Sequence, residues 1–281
     1  MQDKIILITG GNDGIGKATA IGLARMGARV VIACRNMEKA TKALVDIKKE
    51  SNNDQVEVLH LDLASFDSIK NCVENFNTRY NKLDVLINNA AHYTSYLQKT
   101  EEGFEMQFGV NHLGHFLLTY LLLPSLQAAE RPRIVNVASN GHYGGKIDFN
   151  NLRGEKFVKK YYGFEAYAQS KLANVLFTKE FSRRYPDMIC NCLHPGGVST
   201  NIATKNANTL ATAIWNLAKP FLMSPEQGAQ TSIYLASSPK VNEINGQFFD
   251  EKQKIRKPSR LARNNELAKK LWDISMKFIY H

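Results

Sequence analysis

Residues 167–171 read YAQSK, a phenol and an ammonium four positions apart in a stretch, FEAYAQSKLANVLFTKEF, with the pattern of a helix. Residues at i and i+4 share one helix face. A free tyrosine has a pKa of about 10, and a nearby ammonium favours its phenolate, so the pair Tyr167 and Lys171 is suited to giving and taking a proton. Most such pairs are plain helix surface, and the pair alone leaves both readings open.

A second group of residues could hold phosphate. The run KIILITG leads into TGGNDGIG, residues 9–16, and then into the helical pattern GKATAIGLARMG. Gly10, Gly14 and Gly16 are spaced G-x-x-x-G-x-G, with Asn12, Asp13 and Ile15 between them. Glycines permit a tight turn and close backbone approach, and the following helix offers its N-terminal amides to a pyrophosphate. A tight βα turn without ligand is the alternative. Asp13 puts a negative charge into this loop. The next apolar run ends in IACRN, without a carboxylate. An acidic residue here would bond a ribose 2′-hydroxyl, whereas an Arg accommodates a 2′-phosphate. Arg35, 19 positions after Gly16 and followed by Asn36, therefore points to NADP(H) over NAD(H); a solvated Arg at a strand end is the other reading.

These residues need elements to carry them. Short apolar runs occur at 4–10, 28–34, 56–62, 83–90, 133–139 and 188–196, with GQFFD at 246–250 as a last candidate. They are apolar on both faces, as in strands inside a parallel sheet. Helical patterns at 16–27, 37–50, 65–80, 101–127, 165–185 and 225–237 fill the gaps. Strict alternation predicts an α/β fold, a doubly wound parallel sheet of Rossmann type, in a single domain spanning 1–281. Ligands in such sheets sit beyond the carboxyl ends of the strands.

Composition narrows the function classes. The 281 residues are 44% hydrophobic and 22% charged, which suits a large core. The net charge of +10 could serve nucleic acid, an anionic membrane surface or an anionic cofactor; it is scattered, with some density at 252–270 and no nucleic-acid module, so no nucleic-acid partner is expected. Cys34, Cys72, Cys190 and Cys192 match no common zinc spacing, so no metal is expected. The start, MQDKIILITGG, enters a strand pattern at once, and the longest apolar stretch, FLLTYLLL, is short for a bilayer. A cytoplasmic protein without signal peptide or transmembrane segment is the expectation.

Taken in order, TGGNDGIG, HLDL, NNAA, NHLGHF, NVAS, YAQSK and HPGGVST resemble the short-chain dehydrogenase/reductase family over nearly the whole chain. IACRN, VNHLGHFLLT, GGKIDFNNLRGEKF and YAQSKLANVLFTKEF are similar to its retinol dehydrogenase-like branch, which also holds protochlorophyllide reductase-like and WW-domain oxidoreductase-like enzymes. The resemblance implies that Asp62 and Leu63 hold the adenine, and that Asn88, Asn89, Ala90 and Ala91 brace the sheet and approach the cofactor. It implies a catalytic set of Asn111, Ser139, Tyr167 and Lys171, with Asn111 holding a water that links Lys171 to solvent. Pro195, Gly196 and Val198 would close over the nicotinamide, with Ser199 or Thr200 near its carboxamide or the phosphates. Tyr167 would protonate a carbonyl oxygen and Ser139 would donate to it as hydride arrives.

Two departures bear on the branch. Ser139 and Tyr167 stand 28 positions apart, an excursion that the retinol dehydrogenase-like branch shares, and Ala91 replaces the usual Gly of NNAG. The resemblance also implies a lid at about 199–224, whose Ile202, Leu210, Ile214, Trp215, Leu217, Phe221, Leu222 and Met223 suit an apolar carbonyl or alcohol. Packing of the lid on the core is their alternative. ELAKKLWDISMKFIY, at about 265–280, reads as an amphipathic helix that docks on the domain, on another subunit or peripherally on a membrane. The leading expectation is an NADP(H)-dependent oxidoreductase of apolar carbonyls or alcohols. NAD-dependent alcohol oxidation and a cofactor-binding regulatory protein without turnover are the competitors.

Overall fold

The computed structural model describes residues 1–157, 160–198 and 223–280. The β-branched runs form one sheet from β1 (Ile5–Thr9), β2 (Arg29–Cys34), β3 (Val56–His60), β4 (Val85–Asn88), β5 (Arg133–Val137), β6 (Ile189–Leu193), β7 (Phe248–Phe249) and β8 (Ile255–Arg256). Their order is β3-β2-β1-β4-β5-β6-β7-β8. Neighbours pair parallel up to β7, with Ile6 opposite both Val30 and Val85, and β8 returns antiparallel to β7. β8 lacks an apolar run and both its residues are exposed, so nothing in its pattern announced it. The strand order reverses between β1 and β4, which opens a crevice beyond their carboxyl ends.

The two-residue period of β1 builds both halves of the core. Ile5 and Leu7 face one layer, with Ile69, Phe116, Phe177 and Phe181. Ile6 and Ile8 face the other, with Leu23, Ile47, Leu235 and Ala236. The second layer is carried by α1 (Gly14–Arg25), α2 (Met37–Ser51) and, later in the chain, α8 (Pro225–Ser237). The first is carried by α3 (Phe66–Asn77), the central helix and α7 (Gly163–Arg184). Covering both faces is what a parallel sheet requires.

The central helix departs from the single helix expected over 101–127. It comprises α4 (Met106–Phe108), a π-helical turn (Gly109–Gly114), α5 (His115–Leu121) and α6 (Leu123–Gln127). It starts at Met106 because the Glu105 carboxylate caps the amides of Gln107 and Phe108, each at 2.8 Å. It breaks before α6, whose first turn contains Pro124, a residue without an amide to donate. The π turn lies where the helix presses on the segment after β3: a Cβ at Gly114 would stand 2.5 Å from the carbonyl oxygen of Leu63.

The C-terminal helix α9 (Asn265–Tyr280) docks on the domain. Leu271 and Trp272 are buried, and the indole stacks on Phe177 at 5.9 Å. Ser275 Oγ lies 3.0 Å from His112 Nε2, next to Asn111 on the central helix. No helix among the described residues is long and apolar enough to cross a membrane.

Candidate active site

The phosphate loop lies at the reversal point. Asp13 caps α1, its carboxylate accepting the Gly14 amide at 2.8 Å, so the charge that looked unhelpful in the sequence starts the helix. The turn is close: a Cβ at Gly16 would stand 2.3 Å from Gly10 O and 2.5 Å from Asn89 Nδ2. This cradle, with first-turn amides that have no intrahelical partner, fits a dinucleotide pyrophosphate. Asn89 braces it, donating through Nδ2 to Thr9 O at 2.8 Å. Cys34 is buried at the end of β2, and burial pushes its thiol up to about 12, against hydrogen bonds from the Gly11 and Asn12 amides.

Beyond β2, the Arg35 side chain is 64% exposed and its guanidinium lies 3.9 Å from the Asp62 carboxylate. Arg35 and Asp62 thus flank one edge of the crevice. Asn36 caps α2 through the Lys39 amide at 2.8 Å, so its side-chain oxygen is committed to the helix. β3 ends at His60, two residues before Asp62. Leu63 is buried in the core, which leaves its main chain for any contact with a ligand.

The residues expected to handle the proton come from two elements, the turn after β5 and α7. Ser139 follows β5 and caps a 3-10 turn, accepting the Gly141 amide at 3.0 Å. Its carbonyl is held by His142 Nδ1 at 2.7 Å. Tyr167 and Lys171 share a face of α7, the ammonium 5.6 Å from the ring centre. Tyr93 packs edge-on against the Tyr167 ring, with centres 5.8 Å apart. Lys171 is 1% exposed and donates to Val137 O at 3.0 Å, and burial pulls its pKa down to about 8. Burial raises the Tyr167 phenol above its ordinary value and outweighs the opposing Ser139 hydrogen bond. The lowering expected from Lys171 does not prevail: desolvation is the largest influence on the phenol and disfavours its phenolate.

Asn111 occupies the π turn and is fully buried. Its side-chain oxygen accepts the His92 amide at 2.7 Å, and its Nδ2 donates to His92 O and Ser170 Oγ, both at 3.0 Å. The carboxamide is a clamp between the loop after NNAA and α7. The expectation that it holds a water meets a side chain whose donors are both engaged. Asn88 braces the sheet, donating to Asn136 Oδ1 at 2.8 Å and Thr119 Oγ1 at 3.1 Å.

Past β6, Pro195 and Gly196 are half-buried, and Val198 bridges to Met223. Ser199, Thr200 and the lid residues Ile202, Leu210, Ile214, Trp215, Leu217, Phe221 and Leu222 lie outside the described residues. Sequence reasoning passed over Thr9, His115 and His142; the pattern NHLGHF contained His115, but nothing local showed what its ring bonds.

Comparison with known proteins places this geometry. A family model described as short chain dehydrogenase matches residues 4–150. Retinol dehydrogenase 13 of Homo sapiens is 44% identical over 287 residues, covering 98% of this chain and 84% of the relative. Retinol dehydrogenase 12 of Mus musculus is also 44% identical, over 278 residues, covering 98% of this chain and 86% of the relative. Among solved structures, an uncharacterised protein of Mycobacterium Paratuberculosis superposes with a TM-score of 0.77 at 33% identity, covering 99% of this chain and 94% of that one. A short chain dehydrogenase of Shigella flexneri, complexed with NADP, shares the fold at a TM-score of 0.71 and 24% identity, covering 90% of this chain and 98% of that one.

Proposed function

This chain belongs to the short-chain dehydrogenase/reductase family, in its retinol dehydrogenase-like branch, and is an NAD(P)-dependent oxidoreductase; from that premise we propose that it uses NADP(H) to interconvert an apolar carbonyl and its alcohol. The observation that carries the chemistry is the convergence of three side chains: the Tyr167 ring and Ser139 Oγ both lie within 3.5 Å of where a Cβ at Gly141 would stand, and the buried Lys171 ammonium lies 5.6 Å from the centre of the same ring. A bound nicotinamide supplies or takes up the hydride. In reduction, Tyr167 Oη gives its proton to the substrate oxygen, and Ser139 Oγ donates a hydrogen bond to the same oxygen. Burial favours the protonated phenol, the form that reduction consumes. Lys171 supplies positive charge next to the phenolate left behind. Asn111 holds the turn of α7 that carries Tyr167.

In this reading Gly10, Asn12, Asp13, Gly14, Ile15 and Gly16 take the pyrophosphate, and Asp62 and Leu63 take the adenine. Asn89, Ala90 and Ala91 border the cofactor, and Pro195, Gly196, Val198 and Thr200 cover the nicotinamide. The preference for NADP(H) rests on Arg35, an exposed guanidinium at the end of β2 where residues 33–36 carry no carboxylate. The apolar substrate class rests on the names of the relatives, since retinol is a long apolar alcohol, and on the lid composition. We read residues 1–281 as one domain, and four free, buried cysteines as suited to a reducing, cytoplasmic setting.

The test is oxidation of NADPH and NADH against retinals, steroids, quinones and aliphatic aldehydes. Turnover is expected with an apolar carbonyl and with a lower KM for NADPH. Preference for NADH, or a preference unmoved by Arg35→Ala, would overturn the cofactor assignment. Selectivity for small polar carbonyls would overturn the substrate class.

A further inference from the structure

A buried chain of hydrogen bonds joins the phosphate loop to the turn that carries Tyr167, and His115 is its middle link. His115 is 3% exposed. Its Nδ1 lies 3.1 Å from the carbonyl oxygen of Asn111, and its Nε2 lies 2.8 Å from Thr9 Oγ1. A carbonyl oxygen only accepts, so Nδ1 carries the ring proton and Nε2 is the acceptor. The Thr9 hydroxyl therefore donates to Nε2. Its oxygen accepts the amides of Asn89 and Ala90, both at 2.9 Å, while its other acceptor, Ile87 O, is farther away at 3.4 Å. On the far side, Asn111 Nδ2 donates to Ser170 Oγ, which donates to Tyr167 O at 2.8 Å.

With Nδ1 donating to Asn111 O and Nε2 accepting from Thr9, the pattern requires a neutral imidazole. Burial brings the His115 pKa down to about 4; the Asn111 hydrogen bond opposes this, and the Lys171 ammonium adds to it. Thr9 ends β1 and precedes Gly10, and Asn89 and Ala90 directly follow β4. The ring thus bonds Thr9 and the peptide of Asn111 directly, and reaches the second wall of the crevice through the Thr9 hydroxyl.

We propose that His115 is a positioning residue that locks the phosphate loop to the catalytic turn, so that seating of the cofactor and placement of Tyr167 are coupled. The kinetic readout rests on the hydride-transfer reading above; the binding and spectroscopic readouts stand apart from it. Three variants of the full chain separate the two contacts. His115→Leu removes both. His115→Asn keeps a short donor for the Asn111 carbonyl, and His115→Gln reaches Thr9 instead.

In His115→Leu, kcat is expected to fall and the NADPH Kd to rise, each about tenfold or more, the scale of a buried group left unpaired. His115→Asn recovers kcat to within about threefold but keeps the weak Kd, whereas His115→Gln recovers Kd and keeps the low kcat, because each restores one of two comparable hydrogen bonds. Imidazole nitrogen NMR of the cofactor-free enzyme should show a neutral ring protonated at Nδ1. A ring protonated at Nε2, wild-type kcat and Kd in His115→Leu, or equal losses in the Asn and Gln variants would overturn the proposal. If His115→Leu does not fold, the Asn and Gln pair decides by the same split. If the wild type turns over no carbonyl on the panel, the proposed reaction fails, while binding and NMR still decide the role of His115.

Discussion

Arg35 and Lys171 are both cations placed beside a site for anionic charge, and the fold holds them in opposite ways. The Arg35 side chain is 64% exposed, with its carboxylate neighbour at 3.9 Å. Lys171 is 1% exposed, bonded to Val137 O, and lowered to about 8 by burial. A solvated cation is screened by salt and acts on affinity. A dry cation costs the fold stability, yet its field acts nearly unscreened on one neighbouring atom. On the proposed reading, the exposed cation chooses the cofactor and the dry one helps move a proton.

The sharpest way to break this contrast is Tyr167→Phe. It should lower kcat by at least about 100-fold, as expected for loss of a general acid, and leave the NADPH Kd close to wild type. Substantial turnover with cofactor still bound would remove Tyr167 from the chemistry. Gly16→Ala attacks the other end. A methyl group 2.3 Å from Gly10 O must push the loop open, so the NADPH Kd measured by fluorescence titration should rise more than about tenfold. An unchanged Kd would mean that the loop does not cradle the cofactor.

Lys171→Met tests the cost of the dry cation. The folded pKa of Lys171 is depressed from 10.5 to about 8, so between these values the unfolded chain holds a proton that the folded chain has released. Wild-type stability should therefore rise with pH across that window, and the full penalty lies below it. Denaturant titrations should find the cofactor-free Met variant more stable at pH 7, by on the order of 3 kcal/mol, and the gap should close above pH 10.5. A gap independent of pH would contradict the burial account. The smallest effect belongs to Arg35→Ala, which should raise the NADPH KM by about three- to tenfold at low salt, as expected of an exposed charge, and flatten its salt dependence. Equal loss with NADH would show that Arg35 does not read the 2′-phosphate.

Much of this was legible in the chain because it is local. The period of two in IILIT placed Ile5 and Leu7 against Ile6 and Ile8 on opposite faces, as the two core layers show. The spacing of YAQSK put Tyr167 and Lys171 on one helix face, and the glycines of TGGNDGIG marked a turn between strand and helix. The π turn in the central helix was not legible, because pressure from the Leu63 backbone comes from another part of the chain. Strand β8 was not legible either, since it has no apolar pattern and exists by pairing with β7.

The sequence by itself therefore determined the α/β alternation, the phosphate loop and the identity of the phenol, hydroxyl and ammonium. Only the tertiary structure decided their partners. Thr9 and His115 lie 106 positions apart and meet across the crevice because β1 and β4 pair in one register and the central helix packs over them. Periodicity reports which face a side chain occupies; which atom it bonds, and whether its charge is left dry, depends on how distant elements pack.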